Sequence, residues 1–308
     1  MANKEIIPIL IVGAGPAGMT AAIYLARANA KFKIVDKYAP GGKMNITQHV
    51  DNYPGVDTIG GPDLAFKMFE QVRGLGASID YAEVTKIRKE TDYFVVESDE
   101  GEMYAKAVIV ATGTQERKLK IPGEARYTGK GVSYCAICDG NLYKNEAIMI
   151  IGAGNSAIDE AIFVSKIVKH VHIVHRNEHF RADEASVNEL KAMPNVTFHL
   201  NTIPVEVLGD GKGVTGVVVK NIADGTDKTI EVKAVFPFVG SDAVTDFLDE
   251  FDVRDEKGFV LVDEEMMTSV PGLFSIGDVN KKVLRQIVTA TNDGAIAALA
   301  ANRFIKRK

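Results

Sequence analysis

An apolar run that ends in a glycine turn and reopens as a helix occurs twice in this chain, and no other feature restricts its fold as strongly. The first copy reads IIPILIVGAGPAGMTAAIYLARANAKFKIVDK. Ile9 to Val12 are continuously apolar, which suits a strand buried on both faces, and Gly13, Gly15 and Gly18 then fill a G-x-G-x-x-G turn. The first glycine permits the tight turn, the second lets backbone approach a pyrophosphate, and the third brings the helix close to the strand. The helix N-terminus faces the negative charge. Asp36 ends FKIVD, 23 residues beyond Gly13, where an acid bonds ribose hydroxyls; this suits FAD or NAD.

The second copy, AIMIIGAGNSAIDEAIFVSKIVKHVHIVHR, places Gly152, Gly154 and Ala157 in the three small-residue positions. The same step of 23 residues from Gly152 lands on His175, followed by Arg176. A carboxylate there would repel a 2′-phosphate, whereas an arginine accommodates it with charge-assisted hydrogen bonds. The first site is therefore expected to take FAD or NAD and the second NADP.

Behind each copy lie short alternating segments with turn signals, EVTKIRKETDYFVVESDEGEMYAKAVIVATG and PVEVLGDGKGVTGVVVKNIADGTDKTIEVKAVFPFVG, closed by Gly113 and Gly240. The expected fold is α/β, with two Rossmann-like dinucleotide-binding domains built on parallel sheets, each with an added antiparallel β-meander. Residues 246–308 are too few for a third domain and are expected to return to the first. The predicted division is residues 1–116 with 246–308, and residues 117–245. A chain of 308 residues, 46% of them hydrophobic, can fill two such cores.

With 36 basic and 41 acidic residues, a net −5, the chain shows no basic stripe for a phosphate backbone, and no nucleic-acid partner is expected. The N-terminal apolar segment is too short to span a bilayer and lacks a small-residue cleavage site behind it, so it reads as a first strand in a cytoplasmic protein without membrane partners. The closing RFIKRK reads as basic residues favoured in the last turn of a helix.

Both cysteines of the chain, Cys135 and Cys138, fall in SYCAICDG, just before the second glycine unit. Half of a metal site, a pair of core thiols and a redox disulfide are all open to a C-x-x-C pair. A structural zinc needs four ligands, and there is no second C-x-x-C; His170, His172, His175 and His179 are the only supplement. A persistent structural disulfide does not suit a reducing cytosol. Beside two redox nucleotides the pair is best read as a two-electron relay, its thiolate stabilised by a local helix terminus. Asp139 follows directly; if partly buried it would protonate a leaving thiolate, and otherwise it is an ordinary turn aspartate.

The motifs GAGPAG, ATG, CAICDG, GAGNSA, HRNEHFR and PGLFSIGDV, in this order and over essentially the whole length, resemble those of the low-molecular-weight bacterial thioredoxin reductases. The resemblance implies that Cys135 and Cys138 form the redox-active disulfide, Cys138 nearer the flavin and Cys135 attacking the partner, with Asp139 as acid–base residue. It implies FAD contacts from Gly13, Gly15, Pro16, Ala17, Asp36, Gly42, Lys43, Asn52, Val84 and Gly113, then from Gly277, Asp278, Arg285, Gln286 and Ile287. NADPH would meet Gly152, Gly154, Asn155, Ser156, His175, Arg176 and Arg181. Electrons would pass from NADPH through FAD and the disulfide to thioredoxin or a similar small dithiol protein, in a homodimer. Similar enzymes rotate one domain against the other, which makes TQERKLKIPG and GSDAVTDF the expected hinges.

Three departures stand out. Asn177 replaces the second of two consecutive arginines, VGSDAVT departs from the commoner G-x-x-P-N pattern, and Lys43 stands where glutamine is usual. Lys43 would either raise the flavin potential or make a surface ion pair. The departures bear on the electron donor, so NADH, ferredoxin or a reduced flavin stands as an alternative source for a flavin disulfide reductase. A flavin-bound redox sensor is the alternative outside enzymes, and a peroxidase-system reductase would need a further amino-terminal C-x-x-C domain.

Overall fold

The computed structural model describes residues 5–47 and 50–307. The outermost residues of the first predicted domain, 1–4 and 308, lie outside these. The chain divides into two compact units: one runs up to Ile46 and adds Tyr53–Gln115 and everything from Ser241 onward, and the other comprises Thr47–Asn52 and Glu116–Gly240.

In the first unit, β1 (Ile6–Val12), α1 (Pro16–Arg27), β2 (Phe32–Asp36), α2 (Gly61–Gly74) and β3 (Ile79–Tyr81) wind a parallel sheet. The meander β4 (Val84–Lys89), β5 (Phe94–Ser98) and β6 (Gly101–Val110) follows. The order is β3-β2-β1-β6-β5-β4, so the meander is continuous with the parallel sheet. Its last strand serves both, pairing antiparallel with β5 through Gly101–Ala105 and parallel with β1 from Tyr104 to Val110. Leu10, Val12, Val35, Val108 and Val110 form one core with Phe94, Leu248 and Leu273. Each such buried side chain contributes about 2 kcal/mol.

The chain then passes β7 (Thr114–Glu116), α3 (Glu124–Tyr127) and α4 (Ala136–Asp139). The second unit continues with β8 (Ala147–Ile151), α5 (Asn155–Ser165), β9 (His170–Val174), α6 (Glu184–Lys191) and β10 (Val196–His199). Next come β11 (Thr202–Gly209), β12 (Val214–Asn221), β13 (Asp227–Ile230) and β14 (Ala234–Pro237). Its parallel sheet runs β10-β9-β8-β14, and here the meander β11-β12-β13 is a separate antiparallel sheet. Met149, Ile151 and Val174 on one face of the parallel sheet meet Val207, Val217 and Val219 of the meander, while Ile148, Ile150 and Ile173 on the other meet α5 and α6. This is the α/β class with two Rossmann-like halves that the glycine turns imply.

After β15 (Ser241–Ala243), which pairs with β7, the chain completes the first sheet: β16 (Leu273–Ser275) lies parallel to β6, and α7 (Ile287–Lys306) lies against α1. The contact is close because Gly294 has no side chain; a Cβ there would lie 2.3 Å from the Ala17 carbonyl oxygen. Arg303 and Lys306 occupy the last turn of α7, where the helix dipole favours cations.

Candidate active site

The first glycine turn is held open at the N-terminus of α1. Gly13 adopts φ +110°, and a Cβ on it would lie 2.4 Å from the Ala111 carbonyl oxygen. Gly15 caps α1 with no side-chain bond, no acid fills the first turn, and nothing stands within 4 Å of its Cβ direction. Pro16 opens the helix, where its missing N–H costs no bond. Such uncapped N–H groups around an open cradle fit a pyrophosphate. Asp36 is fixed at the rim: one carboxylate oxygen accepts the Ala14 N–H at 2.6 Å and the other the Tyr38 N–H at 2.8 Å.

Several of the other predicted flavin contacts gather around this cradle. Gly41 donates to the Ala14 carbonyl, which sets Gly42 beside Gly15. Lys43 donates to the Thr114 hydroxyl at 2.6 Å and so reaches the chain next to Gly113. Ala82 donates to the Asp36 carbonyl, placing the start of β4 and Val84 at the same sheet end. Gly277 abuts Ala17, where a Cβ would come to 3.1 Å, and its N–H donates to Asp293, which also pairs with Lys282. Arg285 donates to the carbonyls of Asp278 and Asn280 and covers the Phe259 ring at 4.2 Å. Gln286 caps α7, and Ile287 begins it. Asn52 is exposed and belongs to the second unit.

The second turn repeats the backbone. Gly152 has φ +130°, with the Phe238 carbonyl oxygen 2.3 Å from where a Cβ would sit, and Gly154 caps α5 facing open space. Asn155 accepts the Asp183 N–H at 3.1 Å, and the exposed Ser156 follows in the first turn. The Arg181 N–H donates to the Ala153 carbonyl, folding the HRNEHFR segment back onto the turn. His175 is buried, with its Nε2 3.2 Å from the His179 carbonyl oxygen. Burial pushes its pKa down, and the charges of Arg176 and Arg181, both exposed beside it, push further. Two cations at the end of β9 fit a phosphate that Asp36 would repel. Three further histidines form another group: the rings of His170 and His172 lie 4.6 Å apart, tilted to each other, and His172 Nδ1 lies 3.1 Å from His199 Nε2.

Cys135 and Cys138 are joined as a disulfide across one helical turn, their Cα atoms 5.3 Å apart, so neither is a thiolate ligand for a metal. Both are partly exposed, unlike core thiols. Cys135 caps α4, its sulfur accepting the Cys138 N–H at 3.2 Å. Ala136 is fully buried, and Gly140 packs so tightly on α5 that a Cβ would lie 2.6 Å from Val164. Asp139 is 5% exposed, more deeply buried than a turn aspartate, and its charge adds to the burial that raises the Tyr143 phenol.

Two carboxylates at this turn are absent from the motif reading. Glu124 accepts the N–H groups of Leu119 and Lys120 at 2.9 and 2.8 Å and the Tyr134 hydroxyl at 2.8 Å, anchoring the residue before Cys135. Glu160 on α5 accepts the N–H groups of Ala136 and Ile137, the two residues enclosed by the cysteines, at 2.6 and 3.1 Å through one oxygen. Its position had a sequence signal: Ala157 and Val164, three before and four after, are both buried, so Glu160 sits on the apolar face of α5.

Residues 7–294 match the model of the pyridine nucleotide-disulphide oxidoreductase family. A thioredoxin reductase of Mycoplasma pneumoniae is 45% identical over 96% of this chain and 95% of its own. One of Listeria innocua is 39% identical over 99% and 96%. The crystal structure of thioredoxin reductase from Streptococcus pyogenes superposes with a TM-score of 0.91 at 39% identity, covering 99% of this chain and all of that one. The chain belongs to the thioredoxin reductases of the pyridine nucleotide-disulphide oxidoreductase family.

Proposed function

We propose that this protein is a cytoplasmic, homodimeric thioredoxin-disulfide reductase that uses NADPH. The reading is carried by one observation: a disulfide closed across a helical turn in a chain with two uncapped dinucleotide cradles. Residues 1–116 with 246–308 would hold FAD through the Gly13–Ala17 turn, Asp36, and the Gly277 and Arg285–Ile287 segments. Residues 117–245 would hold NADPH through the Gly152–Ser156 turn, with Arg176 and Arg181 on the 2′-phosphate. Bound FAD supplies the two-electron coupling between nicotinamide and disulfide.

The chain's own residues carry the exchange. Reduction opens the Cys135–Cys138 bond. The Cys135 thiolate then attacks the thioredoxin disulfide, forming a mixed disulfide and displacing one thioredoxin sulfur. Cys138 attacks the Cys135 sulfur, restoring the internal disulfide and releasing the thioredoxin dithiol. Asp139 would donate the proton that a leaving thiolate needs.

The test is thioredoxin turnover with NADPH by the wild-type, Cys135→Ser and Cys138→Ser proteins. Both substitutions should reduce turnover to background, while NADPH still bleaches the flavin. Turnover retained by either serine variant would overturn the assignment.

A further inference from the structure

Glu160 is a carboxylate in an unusual place for a C-x-x-C pair. The N–H groups at the start of such a helical turn ordinarily stabilise the N-terminal thiolate and lower its pKa. Here one oxygen of Glu160 takes both N–H groups of the enclosed dipeptide, Ala136 and Ile137, leaving the Cys138 N–H on the Cys135 sulfur. We propose that Glu160 is a positioning residue that fixes the C-x-x-C turn and, by holding negative charge against the newly formed thiolate, makes the dithiol more reducing and its formation proton-coupled. This rests on the redox assignment of Cys135 and Cys138 above.

The electrostatics agree with the geometry. Burial raises the Glu160 carboxyl to about 7, against the two backbone hydrogen bonds that lower it. The other charges acting on it, Glu116 and its neighbour Asp159, are anionic and raise it further, and Asp139 is a third carboxylate on the facing turn. A group so poised takes up a proton when a second negative charge forms beside it. Two electrons enter the disulfide, the S–S bond breaks, and two sulfurs carry two negative charges. One proton makes a thiol of one sulfur and a second goes to Glu160, so two electrons and two protons leave a thiol, a thiolate and a neutral carboxyl. The electrons come from the reductase reaction itself.

Glu160→Gln keeps an oxygen for the two N–H groups and removes the charge; Glu160→Ala removes both. The thiol pKa is read from iodoacetamide alkylation of the chemically reduced protein against pH, and the proton count from the pH dependence of the dithiol–disulfide equilibrium in a dithiothreitol redox buffer. E160Q should lower the thiol pKa by about one unit, speeding alkylation near neutral pH by up to about tenfold, and should cut the protons taken up per disulfide from about two to one. E160A should in addition loosen the turn, seen as faster amide exchange at Ala136 and Ile137. If E160Q matches the wild type in both readouts, Glu160 is only a cap and the proposal fails. Should E160Q not fold, the wild-type alkylation profile decides: it must carry a second inflection besides that of the attacking thiol, and a single-thiol profile overturns the proposal. Neither measurement uses NADPH or thioredoxin, so failure of the reductase assignment would appear separately, in the serine variants.

Discussion

The two glycine turns share a backbone and differ in what waits at the end of the next strand. Gly13 and Gly152 adopt the same left-handed region under the same constraint, a carbonyl oxygen where a Cβ would be, and Gly15 and Gly154 both open an uncapped helix. At the end of β2 stands Asp36, gripped by two N–H groups; beyond β9 stand His175, Arg176 and Arg181. On the function proposed above, the backbone would set that a dinucleotide binds, and the following side chain which one. Charge would supply the discrimination: a fixed carboxylate accepts from ribose hydroxyls and repels a phosphate, whereas guanidinium groups attract it.

The comparison breaks most completely at the glycines. Gly13→Ala should yield protein that no longer retains flavin, since the new Cβ meets the Ala111 carbonyl and a strained φ costs about 1–3 kcal/mol. Gly152→Ala should leave the protein yellow yet unreduced by NADPH; visible spectra of purified protein before and after NADPH separate the two. A flavin lost equally from both variants would contradict the division of labour. Next in size, Arg176→Ala and Arg181→Ala should each raise the KM for NADPH roughly 10- to 100-fold, at about 1.5–3 kcal/mol per lost charged hydrogen bond, with little change for NADH.

The smallest effect separates the sheets behind the turns. The cluster of His170, His172 and His199 belongs to the second unit alone, and burial, aided by the charges of His170, His199 and Lys228, holds His172 down at about 4. In the unfolded chain His172 takes a proton near 6.5, so the native state binds fewer protons between these values, and its stability falls as pH drops from 6.5 toward 4. Urea titrations across this window should show that decline, and His172→Gln should flatten it. An unchanged slope in the variant would place the acid sensitivity elsewhere.

Most of this was legible because glycine turns are local. The strand, the turn and the helix are contiguous in sequence, and their periodicity and small residues state the geometry directly. The return of the C-terminal segment was also readable, from the lack of material for a third core. The sequence did not disclose that one meander continues its parallel sheet while the other stands apart, because strand partners far along the chain leave no local mark. Glu160 left a local mark, its place on the apolar face of α5, but its role stayed unread because it depends on the N–H groups of Ala136 and Ile137, more than twenty residues earlier. Lys43, read as a flavin modulator or a surface ion, donates to the Thr114 hydroxyl, a contact set by tertiary approach.

The most direct test mixes the FAD-loaded protein anaerobically with NADPH and, separately, with NADH, following the bleaching of flavin absorbance. Rapid bleaching by NADPH and slow or weak bleaching by NADH would mean that Arg176 and Arg181 select the 2′-phosphate despite Asn177. Equal bleaching by both would contradict the charge-based division between the two turns, and bleaching by neither would remove NADPH as the donor.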